Sequence, residues 1–296
     1  MKNIIVLLFC ALLVCCKKEV KTEPIAATPV ETKDEVNEVI TETKVEETID
    51  QTNMLGYYVG LFIAEDYGDI YEKKGSFSNK INIAIDRVTQ DSLYGHSVVA
   101  GNSRPFKGIF NSESLHAKVS EPGDDKYDGV FEFTILPEDK KLTGVWIANN
   151  TNLAVPRRKY ELNKKAYKYD TTLNLSPEYD FNIPLSNTQF GESLELESVD
   201  PEKISKLNAS AQQLTNQDVE NLNKGELEII RNMIYARHGY SFKNRKMRYF
   251  FDSEIDWYVP ISTDIRSKLT ATEKKNIDLI KRYEEHAERY YDYFGR

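Results

Sequence analysis

Residues 81–99 read INIAIDRVTQDSLYGHSVV, and the alternation at their start decides the class of fold. Ile81, Ile83 and Ile85 alternate with Asn82, Ala84 and Asp86, the period of two that sends successive side chains to opposite faces of a strand. Leu93–Val99 is a second such run. Working outward, Gly56–Phe62 opens the pattern upstream, and Arg104–Phe110, Gly129–Leu136, Leu142–Ala148 and Arg158–Leu162 continue it downstream. Turn-forming residues separate the runs at Gly101-Asn102, at Pro122-Gly123-Asp124-Asp125, at Pro137-Glu138-Asp139 and at Asn149–Asn152. Short strands at close spacing predict an antiparallel meander over residues 54–165, closed as a small barrel or layered as a sandwich. Gly60, Gly95, Gly108 and Gly144 fall inside the runs, where glycine marks a bend or a close approach, and this favours the coiled, barrel-like form.

In general shape such a meander resembles lipocalin-like barrels, although no signature motif of that family is present. The resemblance implies a ligand cavity and a small-molecule carrier. A barrel of this size is filled by side chains at least as readily, and the filled core is the preferred reading. Asp124, Asp125 and Asp128 before Gly129 have a faint look of a calcium loop, but Ile135 stands where the closing Glu would be. A solvated hairpin turn accounts for them better. His96 and His116 are isolated, so no metal and no cofactor are expected.

The chain has 296 residues, 40% hydrophobic and 29% charged, with a formal net charge of -8. An acidic balance argues against a nucleic-acid partner, which calls for a basic footprint. Outside the first 16 residues no apolar run approaches the ~20 residues of a membrane-spanning helix. All three cysteines (Cys10, Cys15 and Cys16) lie near the start, which removes thiol catalysis and cysteine metal sites from the body of the protein.

Lys2 followed by the unbroken apolar stretch Ile4 to Val14 reads as a secretory signal. Leu13-Val14-Cys15-Cys16 resembles the lipobox of bacterial lipoproteins, with Cys15 at a position where Gly, Ala or Ser is usual. The resemblance implies a signal peptide over residues 1–16 and lipidation at Cys16. It also implies a protein anchored in the cell envelope, at the periplasmic or surface face of an outer membrane. Residues 17–53 contain no aromatic residue and more acidic than basic side chains. Such a segment buries too little to offset its ordering entropy and predicts a disordered acidic tether.

After a connecting segment, residues 166–209, the period changes to 3.6. Thr215 with Asp218, Asn223 with Glu226 and Thr270 with Glu273 have the spacing of helix capping boxes. Leu227, Ile230, Met233 and Ile234 form an apolar stripe ended by Gly239, and Ile277, Ile280, Ala287 and Tyr291 form another. The fold class is therefore α+β, with the meander followed by a small all-α domain over residues 210–296.

Tyr235-Ala236-Arg237-His238-Gly239 resembles the name-giving motif of the YARHG domain of bacterial extracytoplasmic proteins. Further matches in order are Leu214-Thr215 with Asp218, Glu226-Leu227, Phe242, Tyr249-Phe250, Trp257-Tyr258 with Pro260, and Glu273 with Asn276. The resemblance carries no established activity.

Two readings of the motif compete. In the architectural one, Arg237 and His238 bond the last carbonyls of their helix while Tyr235, Trp257 and Tyr258 pack the core. In the functional one, Arg231, Tyr235, Arg237, His238, Tyr240, Lys243, Arg245 and Lys246 form a basic, aromatic patch. Between Lys224 and Arg248, seven basic residues (Lys224, Arg231, Arg237, Lys243, Arg245, Lys246, Arg248) stand against two acidic ones (Glu226, Glu228). Such a patch suits an anionic cell-wall polymer or an envelope protein, although Asp252, Glu254 and Asp256 follow at once. No GxSxG, HExxH or P-loop motif is present, so a catalytic residue is not expected. A hydrolase built on two carboxylates remains the least favoured alternative. The expected protein is a non-enzymatic, membrane-anchored lipoprotein that binds or scaffolds an envelope partner through its helical domain.

Overall fold

The computed structural model describes residues 51–65, 78–178 and 199–290. The signal segment, Cys16, residues 17–50 of the tether and Tyr291 lie outside the described residues.

Eight antiparallel strands form a closed barrel: β1 (Gly56–Ala64), β2 (Asn79–Val88), β3 (Ser92–Val99), β4 (Asn102–Asn111), β5 (His116–Ser120), β6 (Gly129–Leu136), β7 (Lys141–Ala148) and β8 (Arg157–Lys165). Each strand pairs with the next in sequence. β1 then returns to β8 through the register Tyr57↔Lys165 to Ala64↔Arg158. That last ladder removes the sheet edges and rules for the barrel over the sandwich. The short strand β5 is absent from the sequence reading, because only Ala117 and Val119 of its five residues are apolar and buried. The strand glycines act as close-approach points: a Cβ at Gly108 would collide with the Lys118 carbonyl, and one at Gly95 with the Ala84 carbonyl.

Aromatic rings fill the barrel at its middle. Phe131 on β6 stands 5.7 Å from Phe106 on β4, 6.1 Å from Tyr160 on β8 and 6.3 Å from Phe62 on β1. β4 and β8 are opposite walls of an eight-strand ring, so the rings bridge the lumen. The interior here is a packed core, the outcome preferred for a barrel of eight strands. One end is covered by a 3-10 helix, Gln51–Met54, whose Met54 is buried and accepts a hydrogen bond from Tyr58 Oη at 3.0 Å. Gln51–Asn53, which the sequence reading placed in the tether, thus belong to this helix.

At the other end the aspartate-rich turn closes on itself. Asp128 Oδ2 accepts from the Gly123 and Asp125 amides at 2.8 and 3.2 Å, and Asp128 Oδ1 meets Arg104 Nε at 2.9 Å. Among the described residues no cluster of potential metal ligands is present, there or elsewhere.

The helices are α1 (Pro201–Ser205), α2 (Asn216–Val219), α3 (Lys224–Arg237), α4 (Arg245–Glu254) and α5 (Ala271–Tyr290). All three capping boxes form: the Asp218, Glu226 and Glu273 carboxylates accept from the amides of Thr215, Asn223 and Thr270 at 2.7, 2.8 and 2.9 Å. Gly239 ends α3 at φ +70°, the left-handed conformation of a helix stop. The sequence reading missed α1 and α4. Residues 166–209 are not a mere connection either, since Leu175, Val199, Ile204 and Ala209 belong to the core of the helical domain.

Barrel and helices form one compact unit. Ile81, Ile83 and Ile85 point into the barrel, which puts Asn82 and Ala84 on the outside together with Val59 and Val98, the register partners of Asn82. All four are nonetheless buried. The helical domain covers them: Asn82 Nδ2 donates to the Pro260 carbonyl at 2.9 Å, and the Lys80 amide to Asp252 Oδ2 at 3.0 Å. Lys80 Nζ donates to the carbonyl of Ile255 at 3.0 Å, and the β3–β4 turn is held by Ser241, whose Oγ accepts from the Gly101 amide at 3.0 Å.

Candidate functional site

The motif at the end of α3 divides between the interior and the surface. Arg237 and His238 are 1% and 3% exposed. Arg237 turns away from its own helix: Nε donates to the Leu173 carbonyl at 2.6 Å, one Nη to Asn174 Oδ1 at 3.0 Å and the other to Ser210 Oγ at 3.3 Å. Burial lowers its guanidinium to about 10. His238 Nε2 meets Glu273 Oε2 at 2.8 Å, and its ring stacks on Tyr169 with centroids 4.3 Å apart. Glu273 Oε1 accepts from Ser210 Oγ at 2.7 Å and from Tyr169 Oη at 3.0 Å. Burial alone would raise the Glu273 carboxyl, but hydrogen bonds from His238, the Thr270 amide and Ser210 outweigh it and hold it at about 2.

This cluster is a strut. It ties α3 and α5 to residues 169–174, the chain that leaves the barrel. Serine, histidine and glutamate are the residue types of a hydrolytic triad, yet Ser210 spends its proton on the carboxylate and not on the imidazole. Arg237 and His238 are interior, but not in the way the architectural reading expected. Their partners are the connecting segment and α5, where the expectation was the last carbonyls of their own helix. The two residues leave the candidate patch because they are buried and hydrogen-bonded inside the domain.

The surface half is a groove of about 620 Å³. Glu228, Arg231, Asn232 and Tyr235 form one wall, at the spacing of a single face of α3. Tyr240, Phe242, Met247, Ile265 and Leu269 give it apolar surface, and Lys243, Asn244, Thr263, Asp264 and Arg266 complete the lining. Arg231, Tyr235, Tyr240 and Lys243 of the expected patch are thus brought together here. Lys246 lies beside the groove on α4 and pairs with Glu228. Arg245, at the start of α4, is half-buried and is not among the lining residues.

Residues 202–285 match the model of the YARHG domain. The chain carries that domain. No curated protein and no solved structure matches the chain.

The YARHG domain therefore uses its name-giving residues on both sides of one helix end. Tyr235 faces the groove, Arg237 and His238 face the strut, and Gly239 makes the turn between α3 and Tyr240. The charge excess expected along Lys224–Arg248 is largely consumed within the fold. Lys224 meets Glu288 at 3.4 Å, Arg231 Nε meets Glu284 Oε1 at 2.7 Å, Lys246 pairs with Glu228 and Arg237 is interior. The Glu284 partner offsets the cost of burial and raises the Arg231 guanidinium. Glu284 and Glu288, on α5, neutralise α3 from about 60 residues downstream, beyond the reach of any local charge count.

Phe242, Ile265, Arg266 and Leu269 supply groove surface that the sequence reading did not assign to a site. Only the loop after Pro260, folding back beside Tyr240 through the Tyr240↔Ser262 bridge, puts 263–269 opposite α3.

Proposed function

We propose that this protein is a non-enzymatic lipoprotein of the cell envelope, lipidated at Cys16 and tethered by residues 17–50, which holds an envelope partner in the YARHG-domain groove. The observation that carries the reading is the groove: a concavity with an apolar floor and a charged rim, on a domain packed against a barrel whose middle is filled by aromatic rings. The buried strut supports it indirectly, since motif residues spent on architecture leave the adjoining concave face as the place for recognition. The packed lumen speaks against the small-ligand carrier. A carboxylate-based hydrolase would need paired acids in an open cleft, whereas Glu228 and Asp264 are each already bonded, to Lys246 and Arg266.

The test is site-specific photocrosslinking in the producing cells. A photoreactive residue at position 243 or 266 should yield discrete adducts, while one at Tyr127, exposed on a barrel loop, should not. Adducts from Tyr127 alone, or from none of the three positions, would defeat the groove as the binding site. In the same cells Cys16→Ala should move the protein from the membrane fraction to the soluble one. Unchanged fractionation would remove the lipid anchor from the proposal.

A further inference from the structure

We infer that the groove takes an acidic peptide segment of a partner protein rather than a glycan, with apolar side chains on the floor and a carboxylate at Lys243. This rests on the groove being the binding site.

The charge argument comes first. Both acids of the lining are satisfied from within, Glu228 by Lys246 and Asp264 by Arg266. Of the lining cations, Arg231 is committed to Glu284 and Arg266 to Asp264. Lys243 is exposed, and among the described residues its ammonium has no acid partner. The unspent charge of the groove is therefore positive and sits on Lys243. Lys243 is also placed with care: its side chain packs on the β3–β4 turn at Gly101, where any Cβ would overlap it. A cation beside an apolar floor complements a carboxylate that follows or precedes apolar side chains.

The aromatic rings decide between peptide and glycan. Sugar rings need a flat, free aromatic face to lie on. Tyr235 and Tyr240 instead meet edge to face at 6.0 Å, and Tyr240 meets Phe242 the same way at 5.3 Å. One face of Phe242 is stacked on Phe251 at 4.6 Å, and the Arg231 guanidinium stands over Tyr235 at 5.9 Å. With Met247, Ile265 and Leu269 these rings make an irregular apolar pocket floor, the form that receives side-chain anchors of a peptide.

The experiment pans a random peptide library displayed on phage against the full chain in detergent. An enriched consensus with acidic and apolar residues is expected. Its labelled peptide should bind at least about tenfold more weakly to Lys243→Glu and to Tyr240→Ala, and more weakly at high salt. Lys243 is exposed, so its variant keeps the fold if Tyr240→Ala does not. A basic consensus, or binding indifferent to Lys243→Glu, overturns the inference. Cell-wall sacculi that pellet the wild type but not Lys243→Glu, with no peptide enriched, overturn the peptide while sparing the groove. If sacculi, peptides and the crosslinks at 243 and 266 all fail, the groove reading itself falls.

Discussion

Arg237 shows what one side chain does when a fold is closed around it. Three of its N–H groups are spent on Leu173, Asn174 and Ser210, which lie on segments distant in sequence, so its loss orphans acceptors inside the protein. Arg237→Ala should lower the unfolding free energy by about 3 kcal/mol in denaturant titration, while Lys243→Ala, on the surface, should stay within about 0.5 kcal/mol. Equal effects would mean that the strut is not a strut. Glu273 adds a pH signature. Its carboxyl is held at about 2, below its ordinary value near 4.5, so it contributes stability above about pH 4.5 that is lost as pH falls toward 2. Glu273→Gln should flatten that acid limb of the stability profile. A limb of unchanged slope would place the titration elsewhere.

At the scale of elements, the tight β3–β4 turn links the two domains. Gly101 adopts φ +73°, its amide is held by Ser241, and Lys243 occupies the space of a Cβ. Gly101→Ala should cost about 1–3 kcal/mol through strain and displacement, and it should weaken partner binding by moving Lys243, although residue 101 is not part of the groove lining. A melting temperature and a binding curve both unchanged would refute the link. The capping boxes and Gly239 were legible from local sequence, because each is a contact among residues three or four apart. Helix α4 was legible too and was passed over: Met247, Phe250 and Phe251, at the i, i+3, i+4 spacing of one helix face, are buried, and Asn244 caps the helix by accepting from the Met247 amide at 3.2 Å. Strand β5 escaped by being too short to show its alternation.

For the whole molecule, the decisive interface is the outer face of β1–β3. Val59, Asn82, Ala84 and Val98 are buried there, and Asp252 of α4 sits among them with its carboxyl pushed up to about 7 by burial, against the pull of the Lys80 amide and of the Lys80 and Arg248 charges. A raised carboxyl binds its proton more tightly in the folded state. Stability should therefore fall as pH rises from about 4 toward 7, and level off above. Asp252→Asn keeps an acceptor for the Lys80 amide and should raise stability at pH 8 by about 2 kcal/mol in the same titration. A variant with an unaltered profile would exclude Asp252. The two carboxylates act in opposite windows, Glu273 below about pH 4.5 and Asp252 above about pH 4.

From the sequence alone came every strand but β5, the antiparallel order, the helix caps, the Gly239 stop and the YARHG motif. Each depends on residues adjacent in the chain or on a period that reads the same wherever the segment lands. Tertiary structure decided what no period encodes. It closed β1 on β8, filled the lumen with rings from opposite walls, and buried the outer face of β2. It also sorted the expected patch, taking Arg237 and His238 inward and bringing Ile265 and Arg266 up to Tyr235. The charge count failed for the same physical reason: Glu284 and Glu288 neutralise cations from a separate helix, and whether a charge is free depends on distance in space, which the order of residues does not state.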